Sequence, residues 1–364
     1  MKVLHATKVQ GIGGAEQHLL VLLPALRERG IDARFLSLDA GGDAERFHRA
    51  LDARNIPWRR LTCGHDASPL LTAAITRVVR AEQPDLLHTH MVHADVHGSA
   101  AAHLLRVPFI STRHNDDRYL LGPFRHVDRL FMRGARRIIA ISEAVRAFHV
   151  RAGLPASKLV TVRYGLDEAP TTPSELTPEQ AGIAAEVPLV LAIGRLIEQK
   201  DHGTLLSAFA QVHEHHPEAR LCILGWGELE TQTRERVREL GLEQSVLLPG
   251  RVEPSAWLRR ADIFAHSSRW EGFGIVLLEA MLAGLPIVST SVSAVPEIVV
   301  DGETGILTDA GDAPALAAGI SRLIEESSLA SALGGAGRRR ALAEFSVARM
   351  ADQTAEVYRQ ALDP

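Results

Sequence analysis

The sequence predicts an α/β protein built from two doubly wound, parallel-sheet halves. Three observations carry this. Short apolar runs alternate with longer segments of helical period. The alternation lapses once, between Gly165 and Val187, in a tract rich in Pro, Ser, Thr and Glu, and then restarts. The 364 residues suit two domains at the usual ~100–200 residues each. Unbroken apolar strands imply sheets covered on both faces by helices.

In the first half, Val3–Ala6, Arg34–Leu38, Asp85–Thr89, Phe109–Thr112, Arg137–Ile141 and Leu159–Arg163 read as strands. Between them His18–Arg29, Phe47–Arg54, Leu70–Ala81, His93–Leu105 and Glu143–Ala152 read as helices. The tract DEAPTTPSELTPEQAG, with Pro170, Pro173, Pro178 and Pro188 at its edge, reads as a linker. In the second half the strands are Leu189–Ile193, Arg220–Leu224, Val246–Leu248, Ile263–His266 and Ile287–Val288. Its helices are Thr204–His215, Leu229–Leu240, Ile275–Leu282, Pro314–Glu325 and Leu329–Phe345, with a last one over Val347–Leu362. Gly284 falls where a helix C-terminus wants positive φ, and Pro286 blocks continuation. The domains are therefore 1–168 and 182–345, and ligands in such folds sit outside the strand C-termini.

Composition removes several functions. A net charge of −4 without a basic tail gives no global attraction to nucleic acid. The two cysteines, Cys63 and Cys222, support neither a disulfide framework nor a Cys-based zinc site. The N-terminus MKVLHAT is too short and polar for a signal peptide, and no stretch approaches the ~20 apolar residues that span a bilayer. These features fit a cytoplasmic protein. No G-x-x-x-x-G-K-[ST] loop, no G-x-S-x-G elbow and no Asp-x-Asp pair for a metal diphosphate occurs, so no metal or other cofactor is expected.

The chemistry-bearing motifs each follow a predicted strand. Within SSRWEGFGIVLLEAMLAGLPIVST, the amides around Gly272, Phe273, Gly274 and Ile275 open a helix, an arrangement that suits an anion. Glu271 and Glu279 bracket it, which makes sense for a ligand with both a diphosphate and hydroxyls, as in a sugar nucleotide. Arg195 and Lys200, in GRLIEQKD, supply a guanidinium and an ammonium for phosphate oxygens; their bland alternative is a surface pair beside a helix-capping Asp201. The loop Gly11, Gly13, Gly14, Ala15, Glu16 lets a ligand approach backbone, or is simply a tight turn. A histidine-rich pair of strand ends, LLHTHMVHADVHG and STRHNDD, offers His88, His90, His93 and His97 as metal ligands, a reading weakened because no carboxylate follows with a recognised ligand spacing. His114 is the better functional candidate, as a donor to a sugar hydroxyl or carbonyl.

These residues resemble the retaining glycosyltransferases of family 4, of the GT-B fold. The likeness rests on EGFGIVLLEAMLAG with its E-x7-E spacing, GRLIEQKD, GGAE and the terminal EFSVARMADQTAEVY, and it covers nearly the whole chain. It implies two Rossmann-like domains facing a central cleft, with the C-terminal helix 346–364 packing back on the first. It implies further that Glu271 meets the donor sugar's hydroxyls and Glu279 the ribose, that Arg195 and Lys200 hold the diphosphate, and that Gly13 and Gly14 border it. His114 would lie near the transferred sugar, and Leu247 and Arg251 near the nucleobase. Tyr164 in RYGLD departs from the family, which often has Asn there.

The expected reaction transfers a hexose from a UDP-linked donor to a hydroxyl of a glycan or lipid-linked acceptor, in cell-surface polysaccharide or glycolipid synthesis. The alternatives are a sugar-nucleotide epimerase, a phosphorylase, or a non-catalytic nucleotide-sugar-binding protein. The stretch Arg125–Arg137, with five Arg against one Asp around Leu130, Phe131 and Met132, reads either as a helix on the inner face of an anionic membrane or as a solvated helix.

Overall fold

A computed structural model describes residues 1–39, 41–62, 68–169 and 171–363; Cys63, Pro170 and Pro364 lie outside them. The chain divides into two compact units, Met1–Gly165 with Ser346–Pro364, and Leu166–Phe345.

The sheet of the first unit is parallel throughout. Its strands are β1 (Lys2–Val9), β2 (Asp32–Asp39), β3 (Trp58–Thr62), β4 (Leu86–His90), β5 (Phe109–Arg113), β6 (Ile138–Ala140) and β7 (Leu159–Thr161), in the order β3-β2-β1-β4-β5-β6-β7. The order reverses between β1 and β4, which sets a topological switch point there. The returning helix Val347–Leu362 places Met350, Ala351, Val357 and Tyr358 in the same core as Leu19, Leu23 and Phe35. Gly165 lies where a Cβ would come within 2.3 Å of the Ser346 carbonyl oxygen, so only glycine permits this approach.

The second unit repeats the plan. Its strands β8 (Leu189–Ile193), β9 (Arg220–Leu224), β10 (Val246–Gly250), β11 (Ile263–His266), β12 (Ile287–Thr290) and β13 (Ile306–Thr308) run parallel in the order β10-β9-β8-β11-β12-β13. Its switch point is between β8 and β11. Cys222 is a buried free thiol in β9.

Several elements depart from the sequence reading, among them two strands and the short helices Ser255–Arg260 and Val295–Ile298. β3 and β13 were not expected: both are edge strands, β3 with Arg59 and Arg60 exposed, so neither has the continuous apolar run of a strand covered on both faces. The tract read as a linker is also held firmly to the second unit. Trp257 Nε1 donates to Leu176 O at 2.8 Å, and Arg260 Nη2 donates to Ala184 O and Val187 O at 2.7 and 2.6 Å. The Ser255 hydroxyl donates to Thr172 O.

Candidate functional site

The loops leaving β8 and β11 meet at the switch point of the second unit. The β8 loop runs through Gly194 and Arg195 to a short 3-10 turn, Glu198–Lys200, and then to Asp201. Asp201 sits in the left-handed region (φ 45°), and its carboxylate caps helix His202–His215, accepting from Thr204 Oγ1 at 2.9 Å and Arg269 Nε at 3.0 Å. The two loops are laced together. Arg269 N donates to Gln199 O (2.8 Å), Gln199 Nε2 to Trp270 O (3.0 Å) and Ser267 Oγ to Lys200 O (2.9 Å).

This lacing brings Lys200 Nζ onto Glu271 Oε2 as a direct ion pair, both side chains mostly withdrawn from water. The same carboxylate oxygen lies 3.3 Å from His266 Nε2 and 3.4 Å from Ser268 Oγ, and His266 Nδ1 is 2.9 Å from Ser289 Oγ. Burial acts to raise the Glu271 pKa, but the Lys200 charge and the His266 hydrogen bond overcome it and hold it at about 2. Glu271 is thus a fixed anion. His266, Ser268 and Ser289 escaped the sequence reading; the polar run HSS at a strand end was the available signal.

Glu279 is the opposite case. It lies buried on helix Ile275–Leu282, its carboxyl making no hydrogen bond or ion pair among the described residues, and burial raises its pKa to about 7. A carboxyl in that state is half ionised near neutrality. It calls for a hydroxyl donor.

The loop between them is built for close approach. Gly274 adopts φ 94° as the helix N-cap, with Gly272 and Phe273 buried and Ile275 half-buried. The Phe273 ring packs edge-on against Phe345 at 6.0 Å and anchors the loop. Gly284 (φ 79°) closes the helix: its N–H reaches Met281 O, and that of Leu285 reaches Ala280 O. Arg195 is exposed, and its guanidinium has no partner among the described residues. Lys200 covers Gly194, where a Cβ would lie 3.3 Å from Lys200 Cδ. Gly225 admits no side chain, since a Cβ would come within 1.8 Å of Gly194 O. On the neighbouring strand ends, Leu247 is half-buried, and Arg251 lies over the exposed Trp226 ring at 4.4 Å from its centroid.

In the first unit, Gly13 and Gly14 are exposed at the start of helix Gly14–Glu28, and Gly13 N donates to Glu16 Oε2 at 2.9 Å. His114 follows β5 and is buried, with its pKa lowered to about 3 by burial and by the Arg113 charge. Both of its ring nitrogens are occupied, Nδ1 by the Tyr164 hydroxyl and Nε2 by His90 Nδ1 at 3.0 Å. His18 stacks on Tyr164 at 4.2 Å. The departure at Tyr164 therefore has a structural partner in His114.

His88, His90, His93 and His97 do not converge as a ligand set. His93 and His97 are on helix Met91–Leu105 and meet each other edge-on at 5.2 Å, while His97 Nδ1 is 2.7 Å from Thr72 Oγ1. His5 instead joins His88 and His90, with ring nitrogens within 4.8 Å. The His88 and His90 rings face each other at 4.1 Å and 32°, so their in-plane lone pairs do not aim at one point, and each nitrogen of the trio already has a hydrogen-bond partner. A second acidic group, Asp39, Glu45 and His48, is bridged by Arg60, which pairs with both carboxylates.

Comparison with known proteins places the chain in a family and a fold. The model described as "Glycosyltransferase Family 4" matches residues 12–169, and that described as "Glycosyl transferases group 1" matches 174–340. The chain is 29% identical over 356 residues to the phosphatidyl-myo-inositol mannosyltransferase of Mycobacterium leprae, covering 95% of this chain and 92% of that one. It is also 29% identical over 331 residues to the alpha-maltose-1-phosphate synthase of Mycolicibacterium smegmatis, covering 81% and 84%. Among solved structures it is similar to Anabaena HepE in complex with UDP-glucose, at a TM-score of 0.85 and 26% identity over 99% of each chain. The two parallel-sheet units are the Rossmann-like halves of GT-B, and the chain belongs to the family 4 glycosyltransferases.

Proposed function

We propose that this glycosyltransferase moves a hexose, with retention, from a UDP-linked donor to a hydroxyl of a glycan or lipid-linked acceptor. The single observation that carries the reading is the meeting of Lys200 and Glu271 at the β8–β11 switch point, where such sheets bind ligands. The pair is complementary to the two parts of the donor. On binding, the ammonium turns to the diphosphate and the carboxylate to sugar hydroxyls. Arg195, without a partner among the described residues, adds the second cation, and the amides around Phe273, Gly274 and Ile275 add neutral donors. Glu279 accepts from the ribose, Leu247 and Arg251 border the base, and in the first unit Gly13, Gly14 and His114 are assigned to the diphosphate and sugar.

In the reaction the bond from the anomeric carbon to the diphosphate oxygen breaks, and its electron pair leaves with the diphosphate. The acceptor oxygen bonds to that carbon on the same face, and the acceptor's proton passes to the leaving phosphate oxygen. Fixed cations stabilise the charge that develops there without a metal. Glu271 is not the nucleophile in this scheme, because its carboxylate is turned to the sugar hydroxyls, with His266 still beside it at 3.3 Å.

A transfer assay with UDP-glucose and a glycan or lipid acceptor tests the reading. Glu271→Ala, Lys200→Ala and Arg195→Ala should each lower kcat/KM by about 10²–10³-fold, with EDTA without effect. Near-normal turnover in both cation variants would remove the phosphate assignment, and manganese-dependent rescue after EDTA would restore a metal. Sugar turnover with no acceptor present would favour an epimerase, and binding of donor without transfer or hydrolysis a non-catalytic role.

The surface around helix Arg125–Met132 favours a lipid-linked acceptor. Asp128 anchors this helix inward to the buried Arg113 (2.7 Å), while Leu130 is 66% exposed beside Tyr119, Leu121, Phe124 and Val127. Arg125, Arg129 and Arg133 flank these apolar groups, a pattern suited to lying on anionic lipid. No helix among the described residues is long and apolar enough to cross a membrane. Co-sedimentation with anionic vesicles at low salt, lost on Leu130→Glu, is the expected result; equal binding by the variant would contradict it.

A further inference from the structure

The interior of the first unit holds a continuous chain of polar contacts, of which the proposed transfer uses only His114. Thr112 Oγ1 is 2.7 Å from His88 Nε2, and His88 Nδ1 is 2.8 Å from the Tyr358 hydroxyl. That hydroxyl is 3.2 Å from His5 Nε2, and His5 Nδ1 is 3.0 Å from His90 Nε2. His90 Nδ1 is 3.0 Å from His114 Nε2, and His114 Nδ1 meets the Tyr164 hydroxyl. Every one of these residues is buried. Parallel pairing assembles the chain: His5 of β1 stands beside His88 of β4, His90 beside Thr112 of β5, and Tyr358 arrives on the returning C-terminal helix.

Burial keeps the rings neutral. A neutral imidazole carries one proton, on one nitrogen, and a nitrogen–nitrogen hydrogen bond needs one proton between its two ends. If His5 is protonated on Nδ1, His90 must be bare on Nε2 and protonated on Nδ1, and His114 must follow with its proton on Nδ1. If His114 is protonated on Nε2, the other two must carry theirs on Nε2 as well. No mixed arrangement satisfies both ring–ring contacts.

We propose that His5, His90 and His114 form a tautomeric relay with two all-or-none proton orders, and that Tyr358 and Tyr164, at its ends, are positioning residues that select which order is present. The relay stands on the first unit's geometry alone. Its consequence for transfer rests on the assignment of His114 to the sugar, whose contact would take the place of Tyr164 at Nδ1: one order makes that nitrogen a donor, the other an acceptor.

The two ends pull in opposite directions. A buried N–H without an acceptor is less tolerable than a bare acceptor without a donor. Tyr358→Phe removes the group facing His5 Nε2, so that nitrogen goes bare and all three rings carry their protons on Nδ1. Tyr164→Phe removes the group facing His114 Nδ1, so all three carry them on Nε2. Nitrogen-15 NMR of histidine-labelled full-length protein reads the protonated nitrogen of each ring directly.

The expected result in the wild type is one tautomer, or one ratio of tautomers, common to His5, His90 and His114. Between the two Phe variants the protonated nitrogen of His114 should reverse, although Tyr358 does not touch His114. Different tautomers among the three rings of the wild type would overturn the relay, as would an identical His114 tautomer in the two variants. The wild-type measurement decides the matter even if a variant fails to fold. Unchanged turnover in His114→Ala would remove His114 from the transfer reaction while leaving the relay intact, so the two ideas fail separately.

Discussion

The two units share one doubly wound plan but gather different polar groups near their switch points. The first holds a cluster of neutral histidines, His5, His18, His88, His90 and His114, all with pKa lowered, chiefly by burial, and the neighbouring Arg113 is already paired with Asp128 at 2.7 Å. The second holds a formal ion pair, Lys200 and Glu271, and a lone carboxyl, Glu279, with His202 and His266 as its own buried histidines of lowered pKa. A neutral network orients without exerting a field. A charged pair can be exchanged for a charged ligand. On the proposed function, the electrostatic part of the reaction falls to the second unit and fine positioning to the first.

Acid should separate the two units, and this is the largest expected effect. A histidine held neutral in the fold ionises once unfolded, so its contribution to stability is present at pH 7.5 and is lost as pH falls below 6.5. His5 and His114, each lowered to about 3, together cost the first unit about 3 kcal/mol between pH 7.5 and 5.5, and His18, His88 and His90 act in the same direction. Glu279 works with the opposite sign. Its pKa is raised from 4.5 to about 7, so the fold is penalised above pH 7 and relieved by about 3 kcal/mol as pH falls to 4.5. Hydrogen exchange followed by peptide, corrected for intrinsic rate, should show protection lost at pH 5.5 in β1, β4 and β5 but kept in β8 and β11. Equal protection at both pH values in the first unit would break the comparison. In Glu279→Gln, the smaller relief in the second unit should vanish.

How far the sequence could be read follows from where its information is local. The central strands Leu189–Ile193 and Ile263–His266 coincide with their predicted bounds, because strands covered on both faces are apolar throughout. The edge strand Trp58–Thr62 shows two arginines to solvent and was missed for that reason. GRLIEQKD and the E-x7-E segment were legible because each follows directly on a strand, and strand ends are where ligands bind. The His266–Ser268–Ser289 support of Glu271 was not legible, since it depends on His266 pairing with Ser289 across two strands. The relay was hidden for the same reason. His88 and His90 were noticed, but their partners His5 and Tyr358 lie 83 and more residues away, and only the sheet register and the returning helix join them. Occupancy of both His114 nitrogens was likewise invisible before Tyr164 was placed.

On the proposed function, the strand ends of the second unit grip a nucleotide through the Lys200–Glu271 pair and the lone Glu279 carboxyl. Calorimetric titration of UDP at pH 7 in buffers of different ionisation enthalpy tests it most directly. Hydroxyls donated to the Glu279 carboxylate favour its ionised form, so binding should release about half a proton more per UDP in the wild type than in Glu279→Gln. An equal proton count in the two proteins would contradict the account.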